Sequence, residues 1–204
     1  MAKGKARILP RAFYMADGLS AASALLGKIL VSQTPEGTTS GRIVEVEAYL
    51  GSGDRAAHAF RGRTPRTEIL WAEGGRAYVY SLHTYHLFNV TLGPPERQDV
   101  VLVRALEPLD GLALMRQRRG ERHPDRLLCA GPGRLCQALG ISRSLYGHDL
   151  TRHGPLRLLD DDTRFPSSEI ATSPRIGIDY AGPDRDNPWR LTLAHSPFLS
   201  RRRG

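Results

Sequence analysis

Cysteine, lysine and long apolar runs are all scarce in this chain of 204 residues. The two cysteines, Cys129 and Cys136, lack the spacing of a metal-ligand motif or a disulfide framework, so we expect both in the core. No segment approaches the roughly 18 apolar residues of a membrane span, and the amino terminus lacks the apolar stretch of a signal sequence. These absences predict a cytoplasmic protein that does not bind membranes, and they give no indication of a metal or other cofactor.

The charge of the chain is strongly positive and comes almost entirely from arginine. Lysine and arginine together number 29 against 21 aspartate and glutamate, a formal net charge of +8. Lysine occurs only at Lys3, Lys5 and Lys28. A positive protein suits a polyanion such as nucleic acid, and the planar guanidinium can bind phosphate through two hydrogen bonds. A G+C-rich genome would also favour arginine codons, so composition alone leaves both explanations open.

Strand patterns outnumber helix patterns and are joined by loops that contain glycine or proline. Predicted strands cover 28–33, 42–50, 77–82, 99–106, 156–159, 174–179 and 190–194, a turn covers 34–41, and helices cover 19–26, 109–119 and 133–139. Strand and helix do not alternate strictly, which argues against a doubly wound sheet. We therefore expect one domain over residues 1–204 in which sheet predominates, with 1–10 and 200–204 as flexible basic tails.

The most informative segment is GRIVEVEAYLGSGDRAAH, from Gly41 to His58. Side chains alternate along a strand, so one face is predicted to carry Ile43, Glu45, Glu47 and Tyr49, and the other Val44, Val46, Ala48 and Leu50. Two carboxylates and an aromatic ring on one face, followed by a histidine, indicate a base beside a pocket. A half-exposed edge strand would give the same alternation, so this segment alone does not decide between a site and an ordinary surface.

Four further segments carry side chains that a functional site could use. RGRTPR, at 61–66, is a candidate phosphate clamp or a solvated loop, and the aromatic-rich stretch 78–90 could stack on bases or fill the core. Arg104 interrupts an apolar strand and needs a carboxylate partner, for which Glu47 is one candidate, because an unpaired buried charge is expensive. A Gly-Pro-Gly turn before Arg134 leads into a helix, where free N–H groups favour phosphate, although most such turns are only turns.

Taken in order, these segments resemble the alkyladenine (3-methyladenine) DNA glycosylase family, whose members excise alkylated and deaminated purines. The resemblance rests on LLGKILV, GRIVEVEAYLGSGDRAAH, GRTPR, YVY followed nine residues later by Asn89, LVRALEPLDGL, LCAGPGRLCQALGI, SPRIGIDYAG and HSPFLS, over roughly residues 19 to 200. It implies a single compact α+β domain with a curved, mostly antiparallel sheet and packed helices. The implied partner is double-stranded DNA containing damaged purines, bound by a monomer without a cofactor and, in a bacterium, associated with the nucleoid.

The resemblance also implies catalytic roles. Glu47 would be the general base that activates a water for attack on the anomeric carbon of a flipped nucleotide, and Glu45 would be secondary. Arg104 and the carbonyl of Ile176 would help to hold the water. One carboxylate can suffice as the base for hydrolysis, whereas a lyase needs an amine nucleophile. Of the three lysines, Lys3 and Lys5 lie in the predicted amino-terminal tail and Lys28 begins a predicted strand, so none is a clear candidate for that amine. We therefore predict a monofunctional enzyme that leaves an intact abasic site.

Four more residues are implied to form the base pocket. Tyr49 would stack on one face of the extruded base, with His58 and Tyr80 closing the other, and Asn89 would exclude guanine by clashing with its exocyclic amine. Outside the pocket, the segments above give Thr64, Arg66 and Arg134 as candidate DNA contacts.

One departure from the family pattern concerns the residue that fills the gap left by the flipped base. The family usually has tyrosine followed by glycine where this chain has His83 and Thr84. Histidine is smaller than tyrosine and can be protonated. We expect either that flipping is held less strongly here, with activity tilted toward weakly paired lesions, or that Tyr85 acts as the wedge.

Two other functions fit part of the pattern. A non-catalytic nucleic-acid-binding domain would explain the basic charge but would not require Glu47, Arg104 and Asn89 together. A metal-dependent nuclease could use Glu45 and Glu47, but two side chains on one strand need further acidic ligands that no other segment clearly offers.

Overall fold

An antiparallel sheet runs through residues 6–201, the part of the chain described by this computed structural model. Its strands are β1 (Arg7–Ile8), β2 (Ile29–Thr34), β3 (Gly37–Leu50), β4 (Ala77–Leu82), β5 (Tyr85–Leu92), β6 (Asp99–Pro108), β7 (Leu156–Asp160), β8 (Ile170–Ser173) and β9 (Arg190–Leu193). Their order is β1-β7-β2-β3-β6-β5-β4, and β9 pairs with both β3 and β8. The sheet is curled, so the predicted α+β class with a curved antiparallel sheet is confirmed.

Helices cover the apolar face of this sheet. They are α1 (Gly18–Leu25), α2 (Leu112–Arg119), α3 (Asp125–Leu128) and α4 (Pro132–Leu139). The Asp17 carboxylate caps α1, and Gly140 ends α4 in the left-handed conformation that favours glycine. Cys129 and Cys136 are buried in this core as free thiols, as predicted. No helix within residues 6–201 is long and apolar enough to cross a membrane.

The strand β3 is an interior strand where it carries the two carboxylates. Between 45 and 47 it pairs with β6 on one side and with β9 on the other, and both Glu45 and Glu47 are fully buried. The half-exposed edge strand considered above is therefore wrong. The register slips at Val44 on β3 and again at Arg104 on β6, which marks a β-bulge in each strand. Alternation is interrupted there, and Ile43 packs in the same core cluster as Val44 instead of sharing the carboxylate face.

Two local predictions need correction, and one strand, β5, was not predicted. The turn predicted over 34–41 contains only Pro35 and Glu36, because β3 already begins at Gly37. The stretch 78–90 is a hairpin of β4 and β5, whose turn at His83 and Thr84 lacks the glycine or asparagine that usually marks one. The strand predicted over 174–179 is irregular, since pairing with β9 ends at Ser173 and the next residues turn inward.

Part of each predicted tail is held against the rest of the protein. Arg7 and Ile8 pair with β7, and Leu9 is buried, so the chain is fixed well before residue 10. At the other end, Ser200 donates hydrogen bonds to Glu45 and the Arg201 carbonyl accepts one from Arg190. Residues 1–5 and 202–204 of the predicted tails lie outside the described residues.

Candidate active site

Glu47 is surrounded by hydrogen-bond donors. One carboxylate oxygen, Oε2, accepts from the Tyr49 hydroxyl at 2.9 Å and from Arg104 Nη1 at 3.1 Å. The other, Oε1, accepts from the backbone N–H of Ile176 at 2.7 Å. Burial and the Glu47 charge raise the pKa of Tyr49 well above its usual value, so its hydroxyl keeps the proton that it donates. Both oxygens of Glu47 thus accept hydrogen bonds from donors, and a general base likewise acts as an acceptor, of a proton.

Glu45, two residues earlier, has a different environment. It accepts hydrogen bonds from Arg104 Nε at 3.1 Å, Arg190 Nε at 2.8 Å, and both the N–H and hydroxyl of Ser200 at 2.6 Å. Burial opposes its ionisation, but the hydrogen bonds from Arg190 and Ser200 and the charge of Arg190 outweigh it, so the pKa of Glu45 is lowered. Glu45 therefore ties the end of the chain to the centre of the sheet.

Arg104 joins the two carboxylates. It occupies the bulge in β6, where the register change directs its side chain between Glu45 and Glu47. Burial alone would lower the pKa of Arg104, but the charges of Glu47 and Glu45 dominate and raise it. Among the described residues, no three His, Cys, Asp or Glu side chains are grouped to hold a metal ion. The two carboxylates are instead bonded to arginines, which a divalent cation would have to displace.

Arg175 supports the site from behind and was not identified from the sequence. Its guanidinium bonds to both oxygens of Asp54, and its central carbon lies 4.7 Å from the ring centroid of Tyr49 and 4.8 Å from that of Trp189. Held in this way, it fixes the backbone just before Ile176, whose N–H reaches Glu47. The sequence shows Arg175 directly after a proline and Asp54 in the turn GSGD, but nothing in either segment indicates that the two are paired.

An aromatic cavity of about 40 Å³ lies beside Tyr49. Its lining residues are Tyr49, Ala56, His58, Tyr78, Tyr80, Asn89, Val100 and Tyr180. The Asn89 amide nitrogen donates to the carbonyl of Tyr78 at 3.1 Å, and the imidazole of His58 packs edge-on against the ring of Tyr80 with centroids 4.7 Å apart. Planar rings in this arrangement can hold another planar ring by stacking.

The protonation of His58 follows from its partners. Arg66 Nη2 lies 2.7 Å from His58 Nε2 and can only donate, so Nε2 accepts. The proton therefore sits on Nδ1, 2.7 Å from the Tyr78 hydroxyl. Burial and the charges of Arg66 and Arg61 lower the pKa of His58 to about 4. His58 is neutral at physiological pH, and its side of the cavity adds no positive charge.

A second depression, of about 390 Å³, lies on the other side of Glu47. It is lined by Tyr85, Arg104, Ala130, Gly131, Pro132, Gly133, Arg134, Ile176, Ser200 and Arg201. We call it the catalytic groove, because two donors to Glu47, Arg104 and Ile176, line it, whereas the third, Tyr49, lines the aromatic cavity. Glu47 thus lies between a cavity shaped for a flat ring and a more open groove.

The chain is similar to known proteins over nearly its whole length. The family model for methylpurine-DNA glycosylase matches residues 12–197. The chain belongs to this family. A Bacillus subtilis strain 168 protein named "Putative 3-methyladenine DNA glycosylase" is 46% identical over 194 residues, which cover 95% of this chain and 96% of that protein. Proteins of the same name from Bacillus velezensis and Methanocella arvoryzae are 46% and 40% identical, over 97% and 96% of this chain and 99% and 96% of their own lengths.

In this member of the methylpurine-DNA glycosylase family, most residues singled out in the sequence lie around Glu47. Those in direct contact with Glu47 or lining the cavity are Tyr49, His58, Tyr80, Asn89, Arg104 and Ile176. Arg66 bonds to His58 and lies over the ring of Tyr80, so it contacts two residues of the cavity wall without lining the cavity itself. Tyr78 and Tyr180 also line the cavity and were missed, because nothing local distinguishes them from core or surface tyrosines.

The remaining candidates lie at the periphery. Thr64 is in the loop beside His58 and is hydrogen-bonded to Thr67. Arg134 bonds to the Ala130 carbonyl at the start of α4. His83 forms the exposed tip of the β4–β5 hairpin with a positive φ of 52°, whereas the ring of Tyr85 is half exposed and contacts α4 at Gly133.

Proposed function

We propose that this protein is a monofunctional DNA glycosylase that hydrolyses the N-glycosidic bond of alkylated or deaminated purines turned out of double-stranded DNA, which initiates base excision repair. The observation that carries the proposal is the position of Glu47, fully buried and bonded only to donors, between the aromatic cavity and the catalytic groove. Membership of the methylpurine-DNA glycosylase family supports it. The protein would act as a monomer.

Base flipping follows from the shape of the site. The glycosidic bond of a stacked base is inaccessible to Glu47, so the nucleotide must leave the helix at a cost of a few kcal/mol. Stacking between Tyr49 on one side and His58 and Tyr80 on the other offsets part of that cost. Tyrosine faces also attract cations, which favours purines that carry the positive charge of alkylation.

In the chemical step, Glu47 takes a proton from a water whose oxygen forms a bond to the anomeric carbon. The bond from that carbon to the purine nitrogen breaks, and its electron pair goes to the purine. In an alkylated purine the electron pair neutralises the existing positive charge. A neutral purine such as hypoxanthine needs a proton as it leaves, from a positioned water or acid. Arg104 and the carbonyl of Ile176 would orient the attacking water beside Glu47.

Selectivity and the absence of lyase activity rest on two further observations. The Asn89 amide is fixed by its bond to Tyr78, so a guanine amine directed at it would clash and not be accommodated. Lys28 is buried and paired with Asp160 at 2.8 Å, which makes it a poor nucleophile for a Schiff base. The product would then be an intact abasic site.

The DNA would lie across both sides of Glu47. Thr64 and Arg66 would contact it beside the cavity, and Arg134 beside the catalytic groove. The hairpin tip at His83 would approach the gap left by the flipped base, with the exposed Tyr85 as the alternative wedge. Because phosphate contacts release counterions, binding should weaken strongly as salt is raised.

A glycosylase assay tests the proposal directly. Duplexes containing 3-methyladenine, ethenoadenine or hypoxanthine are incubated with the protein, and alkali then reveals abasic sites as strand breaks. The Glu47→Gln variant keeps the size of the side chain and removes the base, so we expect excision to fall by about 10²–10⁴-fold or more. Glu68→Gln, at an exposed carboxylate paired with Arg63, is the matched control and should excise normally.

Three outcomes would contradict the proposal. Activity that survives Glu47→Gln would remove Glu47 from the mechanism. Strand breaks that form without alkali would indicate a lyase or a nuclease. Tight binding of lesion DNA without release of any base would indicate a non-catalytic nucleic-acid-binding domain.

A further inference from the structure

The aromatic cavity is too small for the ring it is proposed to hold. Its volume is about 40 Å³, whereas an apolar protein cavity that binds benzene, a smaller ring than a purine, has about 150 Å³. At least one wall must therefore move before the ring can enter.

Most of the cavity wall is fixed by strong contacts. Tyr49 is bonded to Glu47 on its hydroxyl and covered by Arg175 on its ring. His58 is bonded through both ring nitrogens, and Asn89 is bonded to the backbone of β4. Moving any of these would break hydrogen bonds within a tightly packed region.

Tyr180 is the exception among the lining residues. Its side chain is 64% exposed, and its hydroxyl makes a long hydrogen bond of 3.4 Å to the Ala56 carbonyl. Ile178, two residues before it, and Ala181, directly after it, are buried and pack with Ala56 and Tyr49. The backbone is thus anchored while the ring projects from it, so the ring can turn about its own side-chain torsion without moving the segment.

There is space for the ring to move into. A groove of about 440 Å³ adjoins the cavity and shares Ala56, His58 and Tyr180 with it. The remaining lining residues of this groove are Arg55, Ala57, Arg61, Thr64, Arg66 and Thr67. The ring of Tyr180 therefore forms part of the boundary between the closed cavity and open space.

We propose that Tyr180 is the movable wall of the base pocket. Its ring turns toward the arginine-lined groove to admit a flipped purine and returns to close over the purine once it is bound. This inference rests on the proposed function, since the occupant is the flipped base. It adds a residue that controls both the rate at which a base enters and the time that it stays.

The test follows a fluorescent base into the pocket without cleaving it. Duplex DNA containing ethenoadenine, whose fluorescence changes when it unstacks, is mixed with Glu47→Gln protein in a stopped-flow instrument. The same measurement is made with Tyr180→Ala and Tyr180→Phe added to that background. Phe60→Ala is the matched control, because Phe60 is 48% exposed nearby and lines neither the cavity nor the groove.

We expect Tyr180→Ala to speed insertion of the base and to speed its loss by about tenfold or more, the lower part of the range for removing one aromatic stacking partner. Phe60→Ala should match the parent, and Tyr180→Phe, which keeps the ring, should lie closer to the parent than Tyr180→Ala does. Circular dichroism and thermal melting should also be unchanged, because the ring is largely exposed. Insertion and loss rates for Tyr180→Ala equal to those of the parent would overturn the inference.

Excision by the protein with Glu47 intact is measured in parallel to separate the two proposals. Normal excision together with unaltered rates for Tyr180→Ala would overturn the movable wall and leave the proposed function standing. Altered rates for Tyr180→Ala together with no excision would support the wall and overturn the catalytic proposal. Neither insertion nor excision of any lesion would overturn both.

Discussion

Glu45 and Glu47 lie two residues apart on one strand, and both are fully buried, yet their surroundings differ. Glu45 bonds to Arg104, Arg190 and Ser200 and connects the sheet to the end of the chain. Glu47 bonds to Arg104 and Ile176, which line the catalytic groove, and to Tyr49, which lines the aromatic cavity. Burial and charge alone therefore do not identify which carboxylate is the general base. The two carboxylates differ in that only Glu47 has a donor, Tyr49, that lines the aromatic cavity.

Removing the arginine that both carboxylates share should have the largest effect. Arg104→Met leaves two buried carboxylates without a common partner, so we expect the free energy of unfolding to fall by about 3–5 kcal/mol, with a large loss of excision. Urea denaturation and single-turnover excision measure the two effects. Arg116→Met, at a partly exposed pair with Asp125, is the control and should change stability by less than about 1 kcal/mol. Unchanged stability in Arg104→Met would show that the cluster is not held by charge.

The next variant tests whether the two carboxylates have different roles in excision. Glu45→Gln removes the charge opposite Arg190 and should lower the unfolding free energy by up to about 3–5 kcal/mol, because a buried charge loses its partner. Excision by the folded protein, assayed well below its melting temperature, should stay within about tenfold of wild type, whereas Glu47→Gln should lose 10²–10⁴-fold, about the full contribution of a general base. Equal losses of excision in the two variants would remove the distinction between them.

The cavity side of the site should respond to pH. The pKa of His58 is lowered from 6.5 to about 4, so between these values the unfolded chain binds a proton that the folded protein does not. Stability should therefore fall as pH drops through this window. Asp99 acts in the opposite direction, because burial raises its pKa to about 6 and the folded state takes up the proton there. Comparing wild type with His58→Gln isolates the histidine, since Asp99 is common to both.

Urea denaturation at pH 7, 6 and 5 makes this comparison. The difference in stability between wild type and His58→Gln should shrink as the pH falls, because only wild type loses stability through His58. A difference that stays constant across the series would mean that His58 titrates normally in the folded protein. The Arg66 and Arg61 charges beside it would then not control its protonation.

The sequence predicted the local parts of this architecture and missed the long-range ones. Alternation along β3 placed Glu47 and Tyr49 on one face, and apolar patterning found most of the strands. The paired bulges could not be predicted, since they depend on how β3 and β6 register against each other. The partners Asp54 and Arg175 are 121 residues apart, and no local pattern links them. Ser200 was assigned to a tail because basic, polar ends are usually free, but Glu45 holds it.

The smallest effect is expected at the hairpin tip, which is far more exposed than either carboxylate. His83 is exposed with a φ of 52°, and Tyr85 is 51% exposed but rests on α4. A larger ring at position 83 would fill more of the gap left by a flipped base and slow its return. We expect His83→Tyr to raise excision of hypoxanthine opposite thymine a few-fold.

Single-turnover excision measures that effect, with ethenoadenine in a mismatch as the internal comparison. A poorly paired base is cheaper to extrude, so it depends less on a wedge and should gain less from the substitution. Tyr85→Ala separates the two wedge candidates: if Tyr85 fills the gap, this variant should lose excision of hypoxanthine while His83→Tyr leaves it unchanged. Unchanged rates in both variants would mean that neither ring holds the base out, and flipping would then depend on the cavity alone.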